Sequence, residues 1–235
     1  MMHFILASTS TLFGETYLAY LQPSMKTLYA GIDEIIFIPF ARPGGISHDD
    51  YTSRATEAFG SINIKVRGLH TFSDPVAAIK AAKGFFTGGG NTFLLVKQLH
   101  ELGLMEVLGE AVKNGAPYMG CSAGSNIGGL TMQNTNDMPI VYPPSFATMG
   151  LLTFNINPHY QDPVAGSQHM GETRETRIRE YHTQNNTPVL GLREGSWIYR
   201  KDGSLTLEGN GSARVFEAGK EPYELPAGSS LAALK

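Results

Sequence analysis

The chain has 235 residues, 42% of them hydrophobic, and a formal net charge of −3. That length and apolar content can bury a sizeable core in a single domain spanning 1–235. The mild acidity leaves no basic footprint for nucleic acid, and no apolar run is long enough to span a membrane.

The opening residues Met1-Met2-His3-Phe4-Ile5-Leu6-Ala7 lack a basic stretch, and their apolar run is too short for a signal peptide. They read as a first strand, Phe4 to Ala7. The single cysteine, Cys121, allows no internal disulfide and fits a reducing, cytoplasmic setting. Leu18, Leu21, Met25 and Leu28 fall at helical spacing, with Pro23 as an irregularity. Glu34 to Phe40 is near-continuously apolar, as in a parallel strand covered on both faces. Asp49 to Phe59 is helical again, and Ile62 to Val66 alternates like a strand nearer the sheet edge. Asp74-Pro75 opens a helix, with Asp74 as N-cap and Pro75 in the first turn.

Gly84 to Thr87 reads as a strand running into Gly88-Gly89-Gly90-Asn91-Thr92. Helices follow from Phe93 to about Leu102 and from Leu104 to Lys113, closed by Gly115. Three glycines between strand and helix leave the backbone free to present N–H groups to a ligand, or to form a plain flexible turn. Next come a short strand around Ala116-Pro117-Tyr118-Met119 and then Gly120-Cys121-Ser122-Ala123-Gly124. Strands alternating with helices five times imply an α/β fold, a mostly parallel sheet flanked by helices. Sites on such sheets gather at the carboxyl ends of strands, where the glycine loop and Ser122 both fall.

Beyond Ser122 the texture changes. Met132 to Phe146 is rich in Asn, Pro and Thr and reads as an extended loop. Thr153 to Asn157 is a short strand ending at Pro158-His159-Tyr160; Gln161 to Gln168 is loop. Gly171-Glu172-Thr173-Arg174 opens a charged helix reaching Tyr181, and Thr187 to Leu192 is an apolar strand broken by Arg193-Glu194-Gly195. Trp197 to Leu207 reads as a C-terminal β-hairpin with an Asp202-Gly203 turn. Ala213 to Phe216 and Glu221 to Leu225 add strands, before a frayed Ser229 to Lys235.

The G-x-S-x-G spacing of Gly120 to Gly124 is that of a nucleophile elbow, which lifts a strained serine above the sheet. A small-residue helix start without chemistry, or one binding an anion, would read alike. Centring the motif on Cys121 puts Met119 and Ala123 where glycines belong, so Ser122 is the candidate nucleophile and Cys121 a buried packing residue. A serine needs a base, and the base an orienting acid. His159, at a strand end, is the best-placed base, with His169 and His182 as alternatives. Two carboxylates compete as the acid. Glu194 shares the strand-end placement, and Asp137 suits the usual Ser-acid-His order. The oxyanion hole would combine the N–H of Ala123 with one from Gly90.

Six segments occur in order: Gly88-Gly89-Gly90-Asn91-Thr92, Gly120 to Gly124, Thr135-Asn136-Asp137-Met138-Pro139, Asn157-Pro158-His159, Gly171 to Arg174 and Glu194-Gly195-Ser196-Trp197. Together they resemble the peptidase E, or α-aspartyl dipeptidase, family of serine peptidases, across nearly the whole chain. The resemblance implies a flavodoxin-like fold related to class I glutamine amidotransferase domains. It also implies a small Asp-X peptide substrate, no metal or cofactor, and a cytoplasmic location. It assigns Ser122 as nucleophile, His159 as base, Glu194 as its orienting acid, and Gly90 with Ala123 as oxyanion hole. Asp137 is a secondary catalytic candidate. Arg174, a candidate for the substrate carboxylate, and Asn91 would bind substrate. Cys121 departs from the family, which carries a bulkier residue there. A cyanophycinase-like β-aspartyl peptidase and a non-catalytic amidotransferase-like metabolite-binding domain are the competing readings. Oligomeric state, a homo-oligomer included, stays open.

Overall fold

Five short strands, four of them buried apolar runs and one a polar edge strand, make the parallel part of the main sheet in the computed structural model, which describes residues 1–163, 166 and 171–235. They are β1 (Phe4–Ala7), β2 (Glu34–Ile38), β3 (Lys65–Gly68), β4 (Phe85–Thr87) and β5 (Tyr118–Cys121). The chain then adds β6 (Asn155–Pro158), β7 (Val189–Leu192), β8 (Ser196–Lys201), β9 (Ser204–Gly209), β10 (Ser212–Phe216) and β11 (Tyr223–Pro226). The first sheet has the order β3-β2-β4-β5-β1-β8-β9. Its first five strands are parallel, and the β8–β9 hairpin joins antiparallel along β1. Counted from β2, the order is the doubly wound one, with β1 filling the fifth place.

The pleat divides these strands between two cores. Ile5, Ala7, Ile35, Phe37, Phe86, Met119 and Cys121 face α1 (Gln22–Leu28) and α2 (His48–Gly60). Phe4, Leu6, Ile36, Ile38, Phe85 and Tyr118 face the opposite way. That side is covered by α3 (Pro75–Ala81), α4 (Thr92–Glu101), α5 (Leu104–Lys113) and the one-turn α6 (Ala123–Asn126). The helices start where capping chemistry allows. Ser47 accepts from the Asp50 N–H, Asp74 from Ala77 and Asn91 from Leu94. In α2 the buried residues Tyr51, Ala55 and Phe59 recur every four positions, one helical stripe.

A second sheet has the order β11-β10-β7-β6, with β6 and β7 parallel. Sequence patterning foresees its strands but not their gathering into a separate sheet. One face, with Ile156, Leu190, Leu192, Ala213 and Val215, joins the core that holds Leu6, Ile198 and Leu207. The other, with Val189 and Phe216, is covered by Ile178 of α7 (Arg174–Tyr181). No helix among the described residues is long and apolar enough to cross a membrane.

The structure corrects three local expectations. The third strand is Lys65–Gly68, not Ile62 to Val66. α2 runs on to Gly60, and the chain reverses through Asn63 at φ 61°, tucking Ile64 under the helix; the apolar alternation there reports a helix end. Pro23 does not interrupt a helix but sits in the first turn of α1, where its missing N–H costs nothing. The C-terminus is not frayed. Leu231 is fully buried, its N–H bonds the Leu205 carbonyl at 2.9 Å, and the Thr153 hydroxyl donates to the Leu234 carbonyl at 2.6 Å. The Asp202-Gly203 turn forms as expected, both residues at positive φ.

Leu231→Ala should therefore destabilise the fold by about 2–5 kcal/mol, like other large core truncations. Urea denaturation reads this directly, and an unchanged midpoint would return the terminus to a peripheral role.

Candidate active site

Ser122 follows β5 with φ 54° and ψ −110°, a conformation that L-residues avoid at about 1–3 kcal/mol. Its surroundings hold it there. The Ser122 N–H bonds the Ala7 carbonyl at 3.1 Å, and its own carbonyl accepts from Ser125 and Asn126 at 2.9 Å each. Ser125 braces the turn, its hydroxyl reaching the carbonyls of Ala7 (2.6 Å) and Gly120 (2.8 Å). The flanking glycines are steric necessities. A Cβ on Gly120 would strike the Gly124 carbonyl, and one on Gly124 the Thr87 carbonyl.

His159 comes directly after β6 and Glu194 two residues after β7, so the parallel pairing of these strands brings the two side chains together. His159 Nδ1 lies 2.7 Å from Glu194 Oε1, and His159 Nε2 lies 2.9 Å from Ser122 Oγ. A carboxylate can only accept, so Nδ1 carries the proton and donates to Glu194. Nε2 is left to accept from the serine hydroxyl. Ser122 thus comes from the first sheet and its two hydrogen-bonded partners in line from the second. Arg193 braces the same strand ends, bonding Asp162 through two nitrogens and also Glu224 and Ser212. Those hydrogen bonds hold the Glu224 carboxyl down at about 2, against some opposing burial.

The cleft beside Ser122 has a volume of about 190 Å³ and is lined by Asn126, Thr135, Asn136, Asp137, Pro158, His159 and Arg174. Asp137 does not meet His159. One of its oxygens accepts from the Thr92 N–H at 2.6 Å, capping α4. Asn126 donates to Thr92 and Thr135, and Asn136 donates to the Pro158 carbonyl, tying this wall to β6. Sequence reading missed Asn126, Thr135 and Asn136. Their signals were the asparagine-rich texture after Ser122 and the place of Thr135 and Asn136 in the Thr135-Asn136-Asp137-Met138-Pro139 segment.

Arg174 is the first residue of α7, where a cation opposes the helix dipole. Desolvation is the first cause lowering its pKa, and the charge of Arg177 adds to it. Arg177 and Arg179 pair with Glu172, Glu175 and Glu221, whereas Arg174 has no carboxylate partner among the described residues. A half-buried cation at the wrong helix end, opening on the cleft, is suited to an anionic ligand group.

Gly90 takes φ +146°, and an added Cβ would collide with the Ala41 carbonyl. Gly89, which sequence reading passed over, packs on Ser122; its added Cβ would lie 3.1 Å from the serine Cβ. The N–H groups of Gly89, Gly90 and Ala123 make no hydrogen bond among the described residues. Asn91, expected to bind substrate, has its carboxamide engaged at both ends. Oδ1 accepts from Leu94 N–H at 3.0 Å and Nδ2 donates to the Met138 carbonyl at 2.8 Å. Through these bonds it ties the Met138 loop to the start of α4. His182 bonds the Asn185 carbonyl at the far end of α7, and His169 lies outside the described residues. Cys121 is fully buried on the other face of β5, and burial pushes its thiol pKa far up. Among the described residues no three His, Cys, Asp or Glu side chains gather as a metal site.

A strained serine, an imidazole, a carboxylate and free backbone donors on an α/β sheet define a serine hydrolase. Comparison with known proteins narrows the class. A sequence model of Peptidase family S51 matches residues 4–208. The chain is 46% identical to a protein of Streptomyces coelicolor named "Peptidase E", over 99% of this chain and 95% of that one. It is 41% identical to a Drosophila melanogaster protein named "Probable alpha-aspartyl dipeptidase", over 94% and 92%. The crystal structure of a peptidase from an acI-B1 actinobacterium shares the fold, with TM-score 0.70 at 15% identity over 98% and 96% of the chains. The chain belongs to peptidase family S51.

In the folded protein a fluorophosphonate should label Ser122 alone, and Ser122→Ala should abolish labelling. Iodoacetamide should leave Cys121 untouched until the chain is unfolded, because a buried thiol that holds its proton is a poor nucleophile. Peptide mapping checks both. Rapid alkylation of Cys121 in the native state would contradict the burial argument.

Proposed function

We propose that the chain is a serine dipeptidase that hydrolyses Asp-X dipeptides through an acyl-enzyme. The observation that carries the reading is the continuous line Glu194–His159–Ser122, with contacts of 2.7 and 2.9 Å. The names of the Streptomyces and Drosophila relatives support it. In this reading Ser122 Oγ attacks the aspartyl carbonyl carbon while its proton passes to His159 Nε2. Glu194 stabilises the imidazolium that forms. The N–H groups of Gly90 and Ala123 receive the developing oxyanion. His159 then protonates the leaving amine, and the same base activates water to release aspartate.

The cleft supplies two complementary charges for the aspartyl residue. Arg174 is placed to take the side-chain carboxylate in a bidentate pair. Asp137 commits one oxygen to Thr92 and keeps the other for the α-ammonium, a role distinct from that of Glu194. One core cluster joins both sheets, and the triad draws on each, which supports a single peptidase domain over 1–235. A lone, buried thiol suits a cytoplasmic location.

Ser122→Ala should abolish Asp-Leu hydrolysis, and near-normal turnover would refute the reading. Arg174→Ala should lower kcat/KM on Asp-Leu more than tenfold, since a hydrogen bond to a charged group contributes about 1.5–3 kcal/mol. Equal rates on α-Asp-Leu and its β-linked isomer would favour the cyanophycinase-like alternative.

A further inference from the structure

The nucleophile and its base stand on different sheets, so something must set the distance between them. The two neighbouring residues Ala7 and Ser8, at the carboxyl end of β1, touch both. The Ala7 carbonyl accepts the Ser122 N–H at 3.1 Å and the Ser125 hydroxyl at 2.6 Å. Ser8 is fully buried, and its Oγ accepts the His159 N–H at 2.8 Å. The same hydroxyl donates to the Leu192 carbonyl at 2.7 Å, two residues before Glu194. Its own N–H is fixed to the Ser196 carbonyl at 3.1 Å.

His159 takes φ 53°, in the left-handed region that residues with a Cβ avoid. A buried acceptor on its N–H is what opposes relaxation of that backbone. We propose that Ser8 is a positioning residue for catalysis. Its hydroxyl pins the backbones that carry His159 and Glu194 to the strand that holds Ser122, and so keeps His159 Nε2 within reach of Ser122 Oγ. This rests on the triad reading above. Removing the hydroxyl leaves the His159 N–H unpaired and the Leu192 carbonyl with the Tyr160 N–H alone, and so frees His159 to turn away. Ser8 lies outside the cleft lining, so substrate binding by Arg174 and Asp137 should survive its loss.

The test compares kcat and KM on Asp-Leu for wild type, Ser8→Ala and Ser8→Cys, with the Tm of each. Ser8→Ala should lose about 10²-fold in kcat, as displacements near 1 Å do, with KM within about twofold of wild type. Ser8→Cys fills the same space with a weakly hydrogen-bonding thiol and should fall between the two. A wild-type kcat in Ser8→Ala, or a loss confined to KM, overturns the proposal. Should Ser8→Ala fail to fold, a wild-type kcat in Ser8→Cys overturns it equally. Should wild type leave Asp-Leu intact, the dipeptidase reading fails by itself. The rate of fluorophosphonate labelling at Ser122 then decides for Ser8: slower in Ser8→Ala upholds the proposal, and an equal rate overturns it.

Discussion

The join between two sheets is the constraint on which this protein depends. Ser122 rises from the end of β5, while His159 and Glu194 follow β6 and β7 of the second sheet. A hydrogen bond of 2.9 Å across that join tolerates little relative movement. The rigidity comes from a core cluster continuous through both sheets and from a few buried hydrogen bonds at the carboxyl end of β1. Packing sets the coarse distance, and directional bonds set the fine one.

The site also concentrates backbone strain. Ser122 and His159, the two groups that exchange a proton in the proposed mechanism, both take positive φ. Each has its N–H fixed by β1, Ser122 by the Ala7 carbonyl and His159 by the Ser8 hydroxyl. Strain of this kind persists only where surrounding contacts over-determine it. The close approach of Gly120, Gly124 and Thr87 provides that around the serine. Around the histidine it comes from the Asn136 bond to Pro158 together with Ser8.

The parts legible in sequence were those written in local chemistry. The apolar runs of β1, β2 and β4, the cap of α3 and the Asp202-Gly203 turn each follow from adjacent residues. The elbow frame identified Ser122 over Cys121 because glycine spacing is itself a steric statement. Non-local facts were hidden. Nothing in Asn155–Pro158 or Val189–Leu192 says that these strands leave the main sheet. Residue reasoning alone left Glu194 and Asp137 open. The pairing of β6 with β7 separates them, aiming Glu194 at His159 and leaving Asp137 on the cleft wall at the start of α4. The capping of α4 by Asn91 went unread because a helix cap and a ligand-binding amide are spelled alike. Ile62 to Val66 misled because a helix end can mimic strand alternation.

In the proposed mechanism the two carboxylates close to one cleft have separable duties, and steady-state kinetics distinguishes them. The most direct test is kcat and KM for Asp-Leu in Glu194→Gln beside Asp137→Asn. Glu194→Gln should lose on the order of 10²- to 10⁴-fold in kcat with little change in KM, the signature of a misoriented base. Asp137→Asn should act chiefly by raising KM. A Glu194→Gln enzyme with wild-type kcat, paired with an Asp137→Asn enzyme that has lost it, would contradict the assignment of Glu194.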